Sequence, residues 1–354
     1  SKQKKIFMIA AAILLVAVIT NVAIAKYFSG KAKTVTIAND AITSMEKLAS
    51  DANAALLYGD EAQASNLLSE LESKLNGLGE VKEDQKEKID SIRASATTLR
   101  NKLNNVAEAE VENLGTLSNG GHLIVVPGYL ATETGRTIVS YVRASQNISD
   151  SALKTSEPIT LSGYNKENQA VIFNGTELLL WDFKTGIIGG AFSTSVPNAD
   201  SARSLTVYNG KAYLLDRAGR KIMKYTVGDS AISSPTASLE NIDELANASD
   251  ITIDGSIYIA TNGTILKYNS GVKEEFNLGV SNLPDNTKLY TENGFVNLYV
   301  LDPAGRRIVV LSKEGAVVQT LTSSQFNDLK DFYVDEKSKT IYVLNNNQLL
   351  KVAF

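Results

Sequence analysis

The chain of 354 residues contains no cysteine, which excludes disulfides, thiolate metal sites and thiol catalysis. It contains a single histidine, His122, directly before an apolar run that begins at Leu123. A Ser-His-Asp site needs convergent partners, and no Gly-x-Ser-x-Gly turn supplies a nucleophile. We therefore interpret His122 as an imidazole at the edge of a predicted strand.

Positive charge is not in excess. Lys and Arg number 35 against 39 Asp and Glu, which gives a formal net charge of -4. A nucleic-acid-binding surface must neutralise phosphates with basic side chains, so no nucleic-acid partner is expected. The chain also lacks a glycine-rich phosphate loop and a calcium loop of the EF-hand type, so neither a cofactor nor a metal is expected.

One long hydrophobic run lies near the beginning of the sequence. It starts at Ile6, ends at Ala25 and is preceded by three lysines. About 20 apolar residues at about 1.5 Å each cover a bilayer core of about 30 Å. Residues 1–30 are therefore predicted to form a basic segment and a transmembrane helix. A cleaved signal peptide is the alternative, because Ala23 and Ala25 fit the small-residue cleavage pattern.

Residues 31–110 have apolar residues at helical spacing. Three stripes are present, the first from Ile42 to Leu56, the second from Leu67 to Leu75 and the third from Ile89 to Val106. Glycines separate them, as at helix ends. We predict a helical stalk or bundle whose apolar faces either pack on one another or form a homo-oligomer contact or a partner dock.

A repeated hairpin dominates the rest of the chain. YLATETGRTIVSY begins at Tyr129, YLLDRAGRKIMKY at Tyr213 and YVLDPAGRRIVVL at Tyr299, and shorter versions lie between and after them. The spacing of equivalent positions is 41 to 45 residues, which is typical of β-propellers with one four-stranded blade per repeat. We predict a mainly β protein with a six-bladed propeller over residues 111–354. The sixth repeat lacks an outer strand, which residues 111–117 are predicted to supply.

The unit from Tyr299 to Leu321 resembles the NHL-type propeller repeat, and LLLWDFKTG from Leu178 to Gly186 is similar to a Trp-Asp repeat. A membrane span joined to a propeller resembles the extracytoplasmic sensor half of bacterial receptor Ser/Thr kinases or phosphatases. This resemblance and the lack of cysteine imply that the bulk of the chain lies outside the cytoplasm. Whether a cytoplasmic domain precedes Ser1 is left open by the sequence.

The function expected from this resemblance is that of a membrane-anchored sensor or interaction module in the cell envelope. It would bind a protein, peptide or glycan on a propeller face, without catalysis by these residues. Two alternatives remain. The propeller could be an enzyme, such as a glycan lyase or hydrolase, or it could be a structural subunit of an envelope assembly.

Acid and arginine side chains recur at the same place in three hairpins. The turns between the second and third strands share one face of a propeller, so these side chains are predicted to ring that face. Arginine binds carboxylates bidentately, which suits an anionic glycan, a peptide carboxylate or a partner protein. The alternative is that each pair only braces its own hairpin. The candidate ligand-binding residues are Glu133, Arg136, Asp216, Arg220, Asp302 and Arg306.

Overall fold

The computed structural model describes residues 39–78, 81–117, 121–126, 128–134, 137–154, 159–166, 169–182, 187–188, 194–229, 231–280 and 282–354. The predicted membrane span from Ile6 to Ala25 and the candidate residue Arg136 lie outside these ranges. Within them, no helix has both the length and the apolar character needed to cross a bilayer. The described residues form two compact units that divide between Leu103 and Asn104.

The first unit contains three helices, α1 (Asn39–Leu57), α2 (Glu61–Asn76) and α3 (Glu83–Leu103). Asp60 caps α2 by accepting a hydrogen bond from the backbone N–H of Gln63 at 2.9 Å. The apolar stripes of all three helices meet in one core that includes Met45, Leu68 and Ile92. The predicted apolar faces therefore pack on one another. Their use in a homo-oligomer contact stays a prediction.

The chain enters the second unit through two strands, β1 (Val106–Glu108) and β2 (Val111–Thr116). The sequence placed the domain boundary at residue 110, but strand pairing already begins at Val106. The prediction missed β1 because three residues are too few for a strand pattern to stand out from the end of a helical stripe.

Twenty-four further strands complete six sheets, which we number as blades in chain order. Blade 1 contains β3 (Ile124–Val126), β4 (Tyr129–Thr134), β5 (Thr137–Val142) and β6 (Asn147–Lys154). Blade 2 contains β7 (Leu161–Lys166), β8 (Gln169–Phe173), β9 (Glu177–Asp182), β10 (Ile187–Ile188) and β11 (Thr194–Ser195). Blade 3 contains β12 (Ala202–Tyr208), β13 (Lys211–Asp216), β14 (Lys221–Thr226) and β15 (Thr236–Leu239).

Blades 4 to 6 follow the same order. Blade 4 contains β16 (Ala248–Ile253), β17 (Ser256–Thr261), β18 (Thr264–Asn269) and β19 (Val272–Glu274). Blade 5 contains β20 (Lys288–Tyr290), β21 (Leu298–Asp302), β22 (Arg307–Leu311) and β23 (Val317–Thr322), and β1 pairs in parallel with β23 as a fifth strand. Blade 6 contains β24 (Leu329–Asp335), β25 (Thr340–Asn345) and β26 (Gln348–Ala353), with β2 antiparallel to β26 as the outer strand.

Apolar clusters lie between successive blades all the way around the domain. Five of them join blades 1 to 6 in order, and a sixth joins blade 6 back to blade 1 through Leu130, Tyr141 and Leu344. Trp181 is buried in the cluster between blades 1 and 2, as expected of a blade-core aromatic. Burial of one large apolar side chain contributes about 1.5–3 kcal/mol, so these interfaces hold the sheets as one closed ring. The domain is a six-bladed β-propeller.

Candidate functional site

The first strand of every blade lines a cavity along the propeller axis. The cavity has a volume of about 450 Å³ and is bordered by residues of β7, β12, β16, β20, β24 and of β3 with its preceding residues. Its two ends differ. We call the face formed by turns between second and third strands the BC face, and the opposite face the AB face. Tyr164, Tyr208 and Glu292 line the AB end of the cavity, and the polar residues described next lie nearer the BC face.

A ring of polar side chains, Ser204, Asp250, Lys288 and Asp331, crosses the cavity at one level of four successive blades. We call it the polar ring. The level follows from the strand register, because Asp250, Lys288 and Asp331 each pair with the equivalent residue of the second strand in their blade. Each of these three thus begins the regular part of a first strand, and Ser204 directly precedes the regular part of β12.

Most of the ring side chains bond to the backbone of the following blade. Asp250 accepts the N–H of Leu289 at 2.8 Å on one oxygen and the hydroxyl of Ser204 at 2.5 Å on the other. Ser204 in turn accepts the N–H of Ile251 at 3.2 Å. These bonds connect the inner strands of blades 3, 4 and 5, so the ring has a structural role as well as a chemical one.

The lysine of the ring has two acids near it. The ammonium of Lys288 lies 3.8 Å from Asp250 Oδ1, and its side chain is 24% exposed. The carboxylate of Asp250 raises the pKa of Lys288, with a further contribution from Asp331. Burial raises the pKa of both acids, although the charge of Lys288 and their hydrogen bonds oppose that shift. Lys288 is therefore protonated at neutral pH.

His122 lies at the same end of the cavity, and its Nε2 atom is shielded from solvent without a hydrogen-bond partner among the described residues. Burial and the nearby charge of Lys288 lower the pKa of His122 to about 4. The imidazole is therefore neutral at physiological pH and can donate or accept a hydrogen bond. An unused polar atom in a cavity is the feature expected of a ligand contact.

Aromatic and charged side chains surround the AB end of the cavity between blades 5, 6 and 1. The hydroxyl of Tyr290 donates to Glu292, whose pKa is raised by burial. The Tyr290 ring meets the Tyr333 ring edge-on at a centroid distance of 5.5 Å. Arg143, from the outer part of blade 1, lies over the Tyr333 ring and 3.6 Å from Asp335 Oδ2. This end is therefore rigid and polar.

The five predicted site residues that the structure describes lie at or beside the turns of the BC face, outside the central cavity. Asp216 and Asp302 are buried, and each accepts the N–H of the turn glycine at 2.8 Å. Glu133 accepts the N–H of Ile159 at 2.7 Å. These acids brace local structure, and the ligand-binding role of the six residues stays a prediction.

The pairing of acid and arginine differs from the predicted one. Arg220 and Arg306 have positive φ angles of 48° and 50°, which turn their side chains away from the acids. Arg307 Nε lies 2.7 Å from Asp302 Oδ2, and Lys221 Nζ lies 3.8 Å from Asp216 Oδ2. The residue after the turn begins the third strand and faces back to the acid, so the partner is one position later than predicted.

Burial by itself would raise the pKa of Asp216, but hydrogen bonds from Ser201, Asn198 and the Gly219 N–H outweigh that effect and lower it. Asp216 is therefore ionised at neutral pH and serves as the acceptor that holds its turn. The same turn sequence, Asp-x-Ala-Gly-Arg, places Asp302 in an equivalent position. In both turns the buried aspartate therefore holds the backbone in place.

Sequence reasoning missed the polar ring and gave His122 no contact with a ligand. Asp250, Lys288 and Asp331 were not among the predicted site residues. A signal was present, since each charged residue stands directly before a large apolar residue at the same place in its repeat, namely Ile251, Leu289 and Phe332. Superposing first strands rather than hairpins would have revealed it. Among the described residues, no group of acids and histidines is arranged to hold a metal ion.

Several solved structures of other proteins are similar to the structure of this chain. A virginiamycin B lyase from Staphylococcus aureus has a TM-score of 0.49 and 14% identity, covering 70% of this chain and 100% of that chain. A luciferin-regenerating enzyme has a TM-score of 0.48 and 12% identity, covering 70% of this chain and 95% of that chain. An auxiliary nutrient binding protein from Bacteroides thetaiotaomicron has a TM-score of 0.47 and 12% identity, covering 68% of this chain and 70% of that chain. No protein-family model matches the chain, and no curated protein matches its sequence.

Proposed function

We propose that the protein is a recognition module whose propeller binds a small, neutral, hydroxyl-rich ligand, such as the end of a glycan, in the central cavity. The observation that carries this proposal is the buried Nε2 atom of His122, which has no partner among the described residues in a cavity of about 450 Å³. That volume suits a small molecule. A ligand hydroxyl would satisfy the imidazole.

The charges of the polar ring favour a neutral ligand. Lys288 is the cation of the ring, and Asp250 and Asp331 both act on its charge. The two acids repel an anion and Lys288 repels a cation, whereas a neutral ligand meets neither repulsion and has no ionic hydration to lose on entering the cavity. A hydroxyl group donates to a carboxylate and accepts from an ammonium, so a polyol matches both kinds of side chain. Tyr164 and Tyr208 offer ring surface at the AB end.

Binding is favoured over catalysis by the state of the acids. Both oxygens of Asp250 accept hydrogen bonds, from Leu289 N and Ser204 Oγ. Both oxygens of Asp331 also accept, from Leu123 N and Phe332 N. A general acid or base must be free to exchange its proton with a substrate. These carboxylates are occupied by the scaffold.

Isothermal titration of the full chain with neutral mono- and disaccharides tests the proposal, with succinate and putrescine as charged comparison ligands. We expect at least one saccharide to bind, and His122→Phe to weaken it about tenfold because one buried hydrogen bond is lost. Arg306→Ala, on the BC face, is the matched control and should bind as the wild type does. Saccharide binding that is unaffected by His122→Phe, or the absence of binding by every saccharide, would contradict the proposal.

A propeller enzyme acting on glycans is the second candidate, because Asp250 and Asp331 have raised pKa values and a neutral imidazole lies at the same end of the cavity. Mass spectrometry of the saccharide after incubation separates the two. Unchanged ligand supports recognition, and cleaved ligand supports the enzyme.

The cellular setting belongs to the same proposal. The run from Ile6 to Ala25 would anchor the chain in a membrane and leave the propeller outside the cytoplasm as a sensor or as a subunit of an envelope assembly. Protease treatment of intact cells tests the orientation. Digestion of the propeller without lysis supports it, and protection until lysis contradicts it.

A further inference from the structure

A second cleft, outside the central cavity, lies on the BC face between blades 3 and 4. We call it the arginine cleft, and its volume is about 560 Å³. It is bordered by the start of β12, by the turn between β13 and β14, and by the short helix that precedes β16. The bordering residues are Asp200, Ser201, Ala202, Arg203, Arg217, Ala218, Arg220 and Ala246.

The three arginines are held differently. Arg217 Nε donates to the carbonyl oxygen of Ala246 at 2.8 Å, which fixes the guanidinium and leaves its two terminal amino groups for another acceptor. Arg220 donates to Asp243, whose side chain is 84% exposed. Arg203 is exposed and has no hydrogen-bond or ion-pair partner among the described residues. The cleft therefore presents more N–H donors than its own acceptors use.

The geometry points to a binding site for an oxyanion, either a carboxylate or a phosphate, in the arginine cleft. Three guanidinium groups and the ammonium of Lys221 lie beside three acids, Asp200, Asp216 and Asp243, so the local charge is positive in a chain with a net charge of -4. Guanidinium groups match the paired oxygens of carboxylates and phosphates, and their charge cannot be removed near neutral pH. Because the Arg217 side chain is already held in place, it loses little conformational entropy when a ligand binds.

The equivalent turn of blade 5 shows that the cleft is not a general property of the repeat. It has the same Asp-x-Ala-Gly-Arg sequence, and Arg306 has the same left-handed backbone as Arg220. Pro303 replaces Arg217 there, and the buried Thr287 stands at the position of Arg203. Arg306 thus lacks the two arginines that accompany Arg220, and its neighbour Arg307 is paired with Asp302, which makes Arg306 the natural control.

Isothermal titration of the full chain with inorganic phosphate and, separately, with succinate tests the site. We expect binding of at least one of them, weakened about tenfold or more by Arg217→Ala and by Arg203→Ala. Arg306→Ala should leave the affinity unchanged. Arg217→Lys keeps the charge but not the paired donors, and should lose most of the affinity. Added salt should weaken binding, because the cleft is open to solvent.

Tighter binding of phosphate than of succinate identifies a phosphate ester as the natural chemistry, and the reverse order identifies a carboxylate. Failure of both anions to bind, or equal weakening by Arg306→Ala, overturns the site. The exposed arginines can be replaced without disturbing the core, and circular dichroism checks that the variants are folded. His122→Phe should leave oxyanion binding intact, so failure at the central cavity and failure here are separable.

Discussion

The carboxylate of Asp331, in the last blade, accepts the backbone N–H of Leu123, in the first blade, at 2.8 Å. Its other oxygen accepts the N–H of Phe332 at 2.9 Å. Blade 6 is thereby joined to blade 1 by a polar contact on the axis as well as by the apolar cluster between them. Ring closure depends on both.

Replacing Asp331 by alanine should destabilise the propeller by about 1–3 kcal/mol, because the buried N–H of Leu123 loses its acceptor. Urea unfolding followed by the fluorescence of Trp181, which is buried in the propeller, measures the change. Asp328→Ala removes a nearby acid whose pair with Lys330 is largely exposed, and should change stability by less than about 1 kcal/mol. Equal effects of the two substitutions would show that the hydrogen bond between Asp331 and Leu123 does not stabilise ring closure.

The stability of the propeller should fall as the pH drops from 6.5 toward 4 because of His122. Its folded pKa is lowered to about 4, so the unfolded chain binds a proton in this window that the folded protein does not. The contribution is about 3 kcal/mol, fully present above pH 6.5 and lost as the pH falls to about 4. Comparison of the wild type with His122→Phe isolates it, since other acids titrate equally in both.

Because His122 is the only histidine, the resonances of its two ring C–H protons can be followed by NMR without assignment among several histidines. We expect its midpoint near pH 4 in the folded protein. A midpoint near 6.5 would mean that the imidazole is solvated, and it would remove the basis for a ligand contact at Nε2.

Gly219→Ala should destabilise blade 3 by about 2 kcal/mol or more, because a Cβ at this position would overlap the carboxylate of Asp216. The overlap would force that carboxylate away from Ser201 and Asn198, which donate to it at 2.6 and 3.0 Å. Thermal unfolding checks the loss. Ala218→Gly, an exposed change one residue earlier, should cost less than about 1 kcal/mol, and a similar loss there would show that the turn is merely sensitive to any change.

Deletion of residues 348–354 should prevent the propeller from folding, since it removes β26 and exposes both β2 and β25. Limited proteolysis measures the outcome. Removal of Phe354 alone, whose ring packs edge-on against Tyr299 at 5.5 Å, should leave a protease-resistant domain of lower stability. A protease-resistant core in the longer deletion would show that blade 6 can close the ring with three strands.

The propeller was readable from the sequence because its hairpins repeat. Tyr213, Tyr299 and the residues after them form apolar strands on either side of a polar turn, and the missing outer strand of the last repeat indicated residues 111–117, where β2 now lies. The six-bladed ring follows from that periodicity.

The site was less readable, because its residues come together only in three dimensions. Arg203, Arg217 and Ala246 belong to three separate segments, and no spacing in the sequence relates them. Asp250 and Lys288 become neighbours only when the first strands of successive blades are placed side by side. The turn acids were found, but the left-handed backbone at Arg220 and Arg306 was not, since only glycine is commonly expected there.

The pairing of β2 with β26 also dictates an order of events during synthesis. Val111–Thr116 is made before any blade exists, yet its partner Gln348–Ala353 is translated only after all the other strands. Until then β2 has no hydrogen-bonded partner strand in its own sheet, and the ring of blades is incomplete. The synthesis of Gln348–Ala353, rather than the appearance of the first hairpin, is therefore the step after which the domain can reach its native state.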